Sequence, residues 1–534
     1  MRQTHAIRIK GASAKGVYLV GLIALCGCAV ETEPVTQESR LVQSNIDRKS
    51  MFATQVPAKR PVSLYEAMAR AIKYNLDRRL KVAEEALALN RVDVASYNLL
   101  PRIVANAGFR HRDKEDASVS RSIATQQQSL EASKSEDRDV WDLDTTLSWN
   151  LLDFGVSYFE ARQNSDRAFV ARERTRKVVH NLLQDVRFAY WRAAAAQMLG
   201  DKIGPVIERA EKALENTYAI ERENLQPALQ TLQFRKTLLE IVRLLESLRD
   251  ELRLAHTELG SLMNMDPRKP FVLAEPGFLV PPVEFEDADV NKLEKIALSS
   301  RPELFEADYQ ERISIDETHK SMLRFFPGLD LRLGKNYTSN SFTINKNWVE
   351  AGAAFSLNLI DLASGPSQME LAKAQVEVSK SQRLALSMAV LSQVRLAHQQ
   401  YLSLLTQYDR SRELREVNGK IAEHLRKARS GQAESEIKEI RAETASITSE
   451  LDEYKTYASL QNALGRIHSS VGLDPLPARL KDGKLSTLTK AIEVKFRTWK
   501  AKGIPNPPKP KPQTKASVKE AENRFFSWFK SLFD

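Results

Sequence analysis

The stretch that decides the fold is Trp141-Asp-Leu-Asp-Thr-Thr-Leu-Ser-Trp-Asn-Leu151, whose odd positions are apolar apart from Thr145 and whose even positions are acidic or polar. Alternation with a period of two predicts a β-strand with one apolar and one polar face. Trp141 and Trp149 share the apolar face and lie about 26 Å apart at ~3.3 Å per residue. This separation is close to the ~25 Å apolar band between the aromatic girdles of transmembrane β-barrels. A hairpin packed on a soluble core fits the same alternation, so the rest of the chain has to decide between the two.

Three further segments repeat the two-sided pattern. Residues 102–110 place Ile103 and Phe109 on one face and basic or amide side chains on the other, and residues 329–337 and 349–359 alternate in the same way. In a barrel, such polar faces line an aqueous lumen. The predicted lumen residues are Arg102, Asn106, Arg110, Asp142, Asp144, Asp330, Arg332 and Glu350. The predicted lipid-facing girdle consists of Trp141, Trp149, Phe109 and Phe355.

The chain is a tandem duplication. The motif Asn150-Leu-Leu-Asp153 recurs as Asn358-Leu-Ile-Asp361, at an offset of 208 residues. The two predicted structural repeats are 61–280 and 281–477, each with a helix, a Pro, a strand, a loop, a strand and a long helix pair. The first copy holds 18 extra residues in the polar stretch 112–139, which predicts a long loop there.

Both repeats end in long helical tracts. They are predicted over about 156–222, 226–263, 366–429 and 433–469. A helix of about 65 residues is a rod of ~100 Å, which indicates coiled-coil-like packing against neighbours. The shorter first helix of each repeat is predicted over about 62–99 and 288–325, where Pro101 and Pro327 follow and prevent its continuation.

The predicted fold class is mainly α with a small β part, comprising a long antiparallel α-helical barrel and four transmembrane β-strands per subunit. Four strands cannot close a barrel, because about eight is the practical minimum and open edges are not tolerated in lipid. The strands therefore predict an oligomer in which each subunit supplies part of one barrel.

The two cysteines, Cys26 and Cys28, lie at the end of a predicted signal peptide, 1–27. Four basic residues precede a short apolar run, as in exported proteins. The order Leu25-Cys-Gly-Cys28 resembles a bacterial lipoprotein cleavage box, which makes Cys28 the predicted lipidated residue and 28–60 an N-terminal linker. An ordinary signal peptide with incidental cysteines is the alternative.

In several features the sequence resembles the outer-membrane efflux duct family typified by TolC, in its lipoprotein form. They are the duplication, Leu64-x-x-Ala67-x-x-x-Ala71, Leu100-Pro101 before the strands, and Asn150-Leu-Leu-Asp-Phe-Gly155 after them. The resemblance covers about 60–477 and implies a homotrimer with a 12-stranded barrel and a periplasmic tunnel. It also implies docking onto a periplasmic adaptor (membrane fusion) protein and an inner-membrane transporter.

The predicted function is therefore a channel of the cell outer membrane, in contact with outer-membrane lipid, lipid-anchored and extending into the periplasm. It passively passes solutes (drugs, metals, metabolites or proteins) from the pump and adaptor to the exterior. The alternative is a lipid-anchored coiled-coil rod that spaces the cell envelope without a pore.

The resemblance also implies that the helix turns at the far tip of the tunnel narrow its entrance. The corresponding residues are Gly431, Glu434, Glu436 and Glu439 in the second repeat and Asn224 and Pro227 in the first, where the Gly is missing. Glu436 and Glu439 share a helix face, and repeated in each subunit they predict an acidic ring that favours cations. An ordinary solvated face with i, i+3 charges is the alternative.

Composition narrows the function classes. A mean hydropathy of −0.40 excludes a bundle of transmembrane helices, each of which needs about 20 apolar residues in a row. The eight His are scattered without metal-ligand spacing, and the chain lacks nucleotide-binding, metalloprotease and hydrolase motifs. We therefore predict no enzyme activity, catalytic residue, metal or cofactor. The net charge of +10 does not predict nucleic-acid binding here, because an exported lipoprotein meets anionic cell-wall polymers or lipid first.

The chain changes character after Pro477. Residues 478–514 are predicted to be a basic, Pro-rich linker. Residues 515–534 carry aromatics at helical spacing and predict an amphipathic helix. That helix either lies on a membrane surface or fills a groove on a partner.

Overall fold

The computed structural model describes residues 34–223, 227–274, 279–428, 433–477 and 482–505. The signal peptide, Cys28, Asn224, Gly431 and the C-terminal helix of 515–534 therefore lie outside the described residues, as do the side chains of Glu434 and Glu436. None of the described helices is both long enough and apolar enough to cross a membrane.

The first described element is a short helix. Helix α1 (Gln37–Phe52) begins after Thr36, whose side chain accepts a hydrogen bond from the Ser39 amide, and it has no buried residue. It falls within 28–60, which the sequence predicts to be a linker. An N-cap of this kind satisfies one of the free amides of the first helical turn.

The first helix of each repeat is two helices, which differs from the single helices predicted over 62–99 and 288–325. The first repeat contains α2 (Leu64–Tyr74) and α3 (Leu76–Tyr97), and the second contains α6 (Val290–Ser300) and α7 (Pro302–Leu323). Asn75 has an extended ψ of 130° and its side chain caps α3. Arg301 precedes Pro302, which occupies the first turn of α7. Both breaks follow from local chemistry, since Asn favours N-caps and Pro restricts the residue before it.

Four strands form one antiparallel sheet in the order β1-β4-β5-β6. Their bounds are β1 (Arg102–His111), β4 (Asp139–Asn150), β5 (Gly328–Thr338) and β6 (Asn347–Ser356). A separate hairpin, β2 (Ala117–Ser118) with β3 (Ser133–Lys134), lies within the stretch predicted to be a loop. Within the described chain, β1 and β6 each pair on one side only, so the sheet has two open edges.

Two very long helices follow the sheet directly. Helix α4 (Leu151–Arg222) has 72 residues and α8 (Leu359–Lys427) has 69, so each is ~100–110 Å long at 1.5 Å per residue. Asn150 and Asn358 explain the repeated motif, because their side chains accept hydrogen bonds from the first free amides of these helices. Helices α5 (Ala228–Leu262) and α9 (Ala433–Val471) run back beside them.

Three apolar clusters stabilise the helical part. One surrounds Met68 and Leu259 in the first repeat, and a second surrounds Tyr401 and Leu460 in the second repeat. The third joins α4, α5 and α9 around Leu245. The core of the subunit therefore lies among the helices and the segments that flank them.

A last helix, α10 (Leu485–Lys502), lies within 478–514, which the sequence predicts to be a basic linker. Its Leu488 and Ile492 are part of the first cluster, whereas Trp499 is part of the second. The signal was present in the sequence, because apolar residues at 485, 488, 492, 496 and 499 mark one helix face. The Lys residues between them make the segment basic and polar on average, which favoured the linker prediction.

Candidate channel surfaces

The strand register places the predicted lumen residues on one face of the sheet. Arg102 is opposite Ser148, which is opposite Arg332, and Asn106 is opposite Asp144. The Asn106 amide donates to the Asp144 carboxylate at 2.9 Å, and the Asn150 amide donates to Asp330 at 3.2 Å. Arg110, Asp142 and Glu350 occupy the same face. Seven charged side chains from four strands therefore share one polar surface.

The predicted girdle residues lie on the opposite face, near its two ends. Phe109 and Trp141 are opposite each other with ring centroids 4.8 Å apart, and each is more than half exposed. At the other end, Phe355 is 73% exposed, and Trp149 packs edge-on against Phe154 at 5.7 Å. Exposed aromatics at both ends of an apolar face match the arrangement expected at two membrane boundaries.

Lys335 and Trp348 are two of the residues that depart from the alternation. Lys335 lies on the apolar face opposite Thr145, midway between Trp141 and Trp149 in the register, and it is exposed. Trp348 lies on the polar face opposite Asn336. Neither position was predicted, although the break in alternation at Lys335 is visible in the sequence.

The loops of the two repeats are joined at the Trp141 end of the sheet. The Ser341 hydroxyl donates to the Asp137 carboxylate at 2.8 Å, and the Asn340 amide donates to the Ser135 carbonyl at 3.1 Å. The Ser341 backbone amide, and after it the Ser341 hydroxyl, lower the pKa of the Asp137 carboxyl by hydrogen-bonding to it. The last residues of the longer first loop are therefore hydrogen-bonded to the loop of the second repeat.

At the far end of the long helices, charged side chains connect neighbouring helices of one subunit. Arg209 of α4 contacts Glu443 of α9 and lies 3.5 Å from the Glu439 carboxylate. Glu439 is only 5% exposed, so within one subunit its carboxylate faces Arg209 and not open space. Pro227 immediately precedes α5 as its N-cap residue. The aperture role predicted for these tips stays a prediction.

A groove of about 540 Å³ lies beside this contact, between α4, α8 and α9. Its lining combines basic and acidic side chains with apolar ones such as Val206 and Ile447. Its charged lining residues are Lys202, Arg209, Glu423, Arg426, Glu439, Glu443 and Glu450.

Three histidines, His180, His398 and His468, are buried in the helical core. His398 contacts the Phe285 carbonyl at 3.0 Å, and His180 contacts the Asp474 carboxylate at 3.0 Å. His468 is enclosed by aromatic rings, and burial holds its pKa well below the usual value. Over the described ranges, no group of three or more His, Cys, Asp or Glu is arranged to hold a metal ion.

Solved structures provide the comparison, since neither a protein-family model nor a characterised protein sequence matches the chain. The Campylobacter jejuni CmeC outer membrane channel aligns with a TM-score of 0.60 and 14% identity, over 77% of this chain and 85% of that one. The outer-membrane channel OprN aligns with a TM-score of 0.58 and 16% identity, over 77% and 89%. The open state of the Neisseria gonorrhoeae MtrE outer membrane channel gives 0.55 and 16%, over 75% and 88%.

The chain has a TolC-like outer-membrane-channel fold. The TolC-like fold that the sequence resemblance implied and the predicted fold class are thereby confirmed. In this TolC-like subunit, α3 and α8 expose many large apolar residues that nothing within the described chain covers. They include Leu80, Leu87, Leu89, Val94, Leu371, Leu384, Met388, Leu396 and Leu414.

Proposed function

We propose that this protein is the outer-membrane channel of a tripartite export system, through which solutes pass without an energy source in the channel itself. The observation that carries the proposal is the two-faced sheet with open edges, joined directly to helices of 72 and 69 residues. The apolar face with its aromatic ends suits lipid, and the charged face suits a water-filled pore. The helices are long enough to reach far into the periplasm.

The open edges support a homotrimer. Strands β1 and β6 run antiparallel to each other through the sheet order, so β6 of one copy can pair with β1 of the next without changing the pattern. Three copies supply twelve strands, which leaves no edge in the lipid. The exposed apolar residues of α3 and α8 then have a second copy to cover them.

The charges of the polar face support a preference for cations. Each subunit contributes four carboxylates and three guanidinium groups from the predicted lumen residues, and rings of carboxylates attract cations. The acidic tip residues, including Glu436, add to the same preference if they line the aperture.

The partners follow from the direction of transport. A passive channel needs an inner-membrane transporter as its energy source and a periplasmic adaptor to join the two. The charged groove between α4, α8 and α9 suits an adaptor that docks reversibly, because polar rims fix orientation more than affinity. Acylation of Cys28 anchors the chain in the outer membrane, since a lipid contributes ~0.8 kcal/mol per buried CH₂.

Planar-bilayer recording with the purified protein tests the proposal. We expect a trimer in detergent and stable conductance whose reversal potential in a salt gradient shows cation preference. Replacing Asp142, Asp144 and Asp330 together by Asn should lower that preference, whereas Asp250→Asn, at an exposed position of α5 away from the sheet, should leave it unchanged. A monomer without conductance would instead support the spacer rod and overturn the channel.

A further inference from the structure

Two segments that are about 400 residues apart in sequence meet halfway along the helical part. Residues 56–75 contain α2, and residues 482–505 contain α10. The Tyr65 ring stacks on the Phe496 ring with centroids 6.2 Å apart, and the two helices share the first apolar cluster. Together these segments form one continuous surface, which we call the basic belt.

The belt concentrates the positive charge of the protein. Its two segments hold ten Lys and Arg but only three Asp and Glu, a net charge of +7 against +10 for the whole chain. The matching segment of the second repeat, residues 279–301, holds five acids and three basic residues. Positive charge is therefore concentrated in only one of two equivalent places in the duplicated fold. A surface that only has to be solvated does not require such an asymmetry.

The packing of α10 fixes which side chains point outward. Its apolar face is buried, with Ile492 fully inaccessible, so the opposite face must be solvated. Lys490, Arg497 and Lys500 are exposed there at positions i, i+7 and i+10, which places them along one stripe. Arg497 pairs with Glu493 at 2.6 Å, but among the described residues Lys490 and Lys500 make no ion pair within 4.0 Å.

The position of the belt along α4 excludes lipid headgroups as its ligand. Arg187 of α4 stacks over the Phe496 ring at 4.8 Å. It lies 36 residues beyond Leu151, where the sheet ends, so the belt is about 54 Å from the sheet at ~1.5 Å per residue. This distance is several times the ~8 Å Debye length at physiological salt. With the strands in the outer membrane, the belt faces the periplasm.

We infer that the basic belt binds the carboxylate-bearing polymer of the cell wall, the peptidoglycan that crosses the periplasm. The inference rests on the proposed function for its placement of the belt. Lys and Arg attract carboxylates at exposed sites weakly and one at a time, so useful affinity has to come from several contacts per subunit and from several subunits on one polymer. A stripe of cations with few competing acids meets that requirement. Bound in this way, the wall holds the channel upright at its middle.

Co-sedimentation with purified, insoluble cell-wall sacculi tests the inference on the full-length protein. The parent protein should sediment with sacculi at low salt and be released as NaCl is raised. The belt variant carries Lys490→Glu, Arg497→Glu and Lys500→Glu together, which leaves the buried face of α10 intact. It should bind about tenfold more weakly, because weak attractions in each subunit are replaced by repulsion.

A matched control reverses three equally exposed charges away from the belt: Lys236→Glu, Arg253→Glu and Arg410→Glu, at positions that are 77%, 74% and 79% exposed. It should bind sacculi like the parent protein. Sacculi whose carboxylates have been converted to amides should retain less of the parent protein. A neutral variant with Gln at the three belt positions should show an intermediate loss and guards against misfolding of the reversed one.

Four outcomes overturn the inference: no sedimentation of the parent protein, equal sedimentation of the belt variant, equal loss in the control, or undiminished binding to amidated sacculi. The conductance of the same preparations is recorded in parallel. A parent protein that conducts but does not bind sacculi refutes only the wall contact. A parent protein that binds sacculi through the belt but does not conduct refutes the channel.

Discussion

Lys335 provides the sharpest test of which face of the sheet meets lipid. It lies on the apolar face opposite Thr145 and Val349, and Thr145 is four residues from both Trp141 and Trp149. At ~3.3 Å per residue and a strand tilt of ~40°, this is about 10 Å from either girdle along the membrane normal. If that face contacts lipid, the ammonium group is close to the least favourable depth.

The magnitude follows from this depth. A Lys near the midplane of a barrel costs ~2–4 kcal/mol, and the cost falls to ~0–1 kcal/mol near the interfaces. The long side chain snorkels toward the nearer boundary, so we expect the low end of the midplane range. Lys335→Leu should therefore raise the free energy of unfolding by about 2 kcal/mol per subunit, about 30-fold in the equilibrium constant.

Denaturant unfolding of the protein in phospholipid vesicles, followed by Trp fluorescence, measures this gain. The matched control is Arg332→Leu, three residues earlier and on the polar face, which should give no such gain because water already solvates that side chain. Stability of the Lys335→Leu protein at or below that of the parent would refute a lipid-facing Lys335. Equal gains from both variants would refute the assignment of the two faces.

Two further predictions concern the helical part. Gly365→Ala should lower the free energy of unfolding by about 1–3 kcal/mol, because a Cβ there would overlap the Phe325 ring. Gly200→Ala, where a Cβ meets open space, should raise the free energy of unfolding by about 0.5–1 kcal/mol. Thermal denaturation that shows no difference between the two variants would contradict the packing at Gly365. His468 is held neutral by burial, with its pKa far below the usual range, so below about pH 6.5 the unfolded state takes up a proton that the folded state does not, and stability falls as the pH falls. His468→Phe should flatten that part of the stability profile, and an unchanged slope would show that other groups cause it.

Most of the architecture was readable because it rests on short-range patterns. The period-two alternation of Trp141–Leu151 needs only its own residues to indicate a two-faced strand, and the repeated Asn-Leu-x-Asp motif marks the same strand-to-helix junction twice. The helix breaks at Asn75 and Arg301 were missed, although a capping residue and a following Pro were both present. Both breaks lie within continuous helical patterns of apolar residues. Such a pattern predicts one helix unless the capping residue or the Pro is taken as a boundary.

The remaining features depend on tertiary contacts. Glu439 shares a helix face with acidic neighbours, and nothing in its own segment indicates that Arg209, 230 residues earlier, lies beside it. Helix α10 belongs to the core because α2 presents an apolar surface to it, so its basic composition alone suggested a linker. Lys335 is a different case. A single charge in an otherwise alternating strand does not change the strand prediction, but it changes the free energy of placing that strand in lipid.

The distribution of buried residues separates folding of the subunit from assembly of the barrel. The three apolar clusters lie among the helices and their flanking segments, whereas β1 and β6 are exposed along their whole length. A four-stranded sheet with two open edges and little burial has little to offset the conformational entropy lost on ordering it. The helical part therefore has its apolar core within one chain, and we expect the strands to become stable only when their edges pair with other copies and their apolar face enters lipid. The variants above separate the two stages: Gly365→Ala acts on the subunit in any solvent, and Lys335→Leu acts only where the barrel has formed in a bilayer.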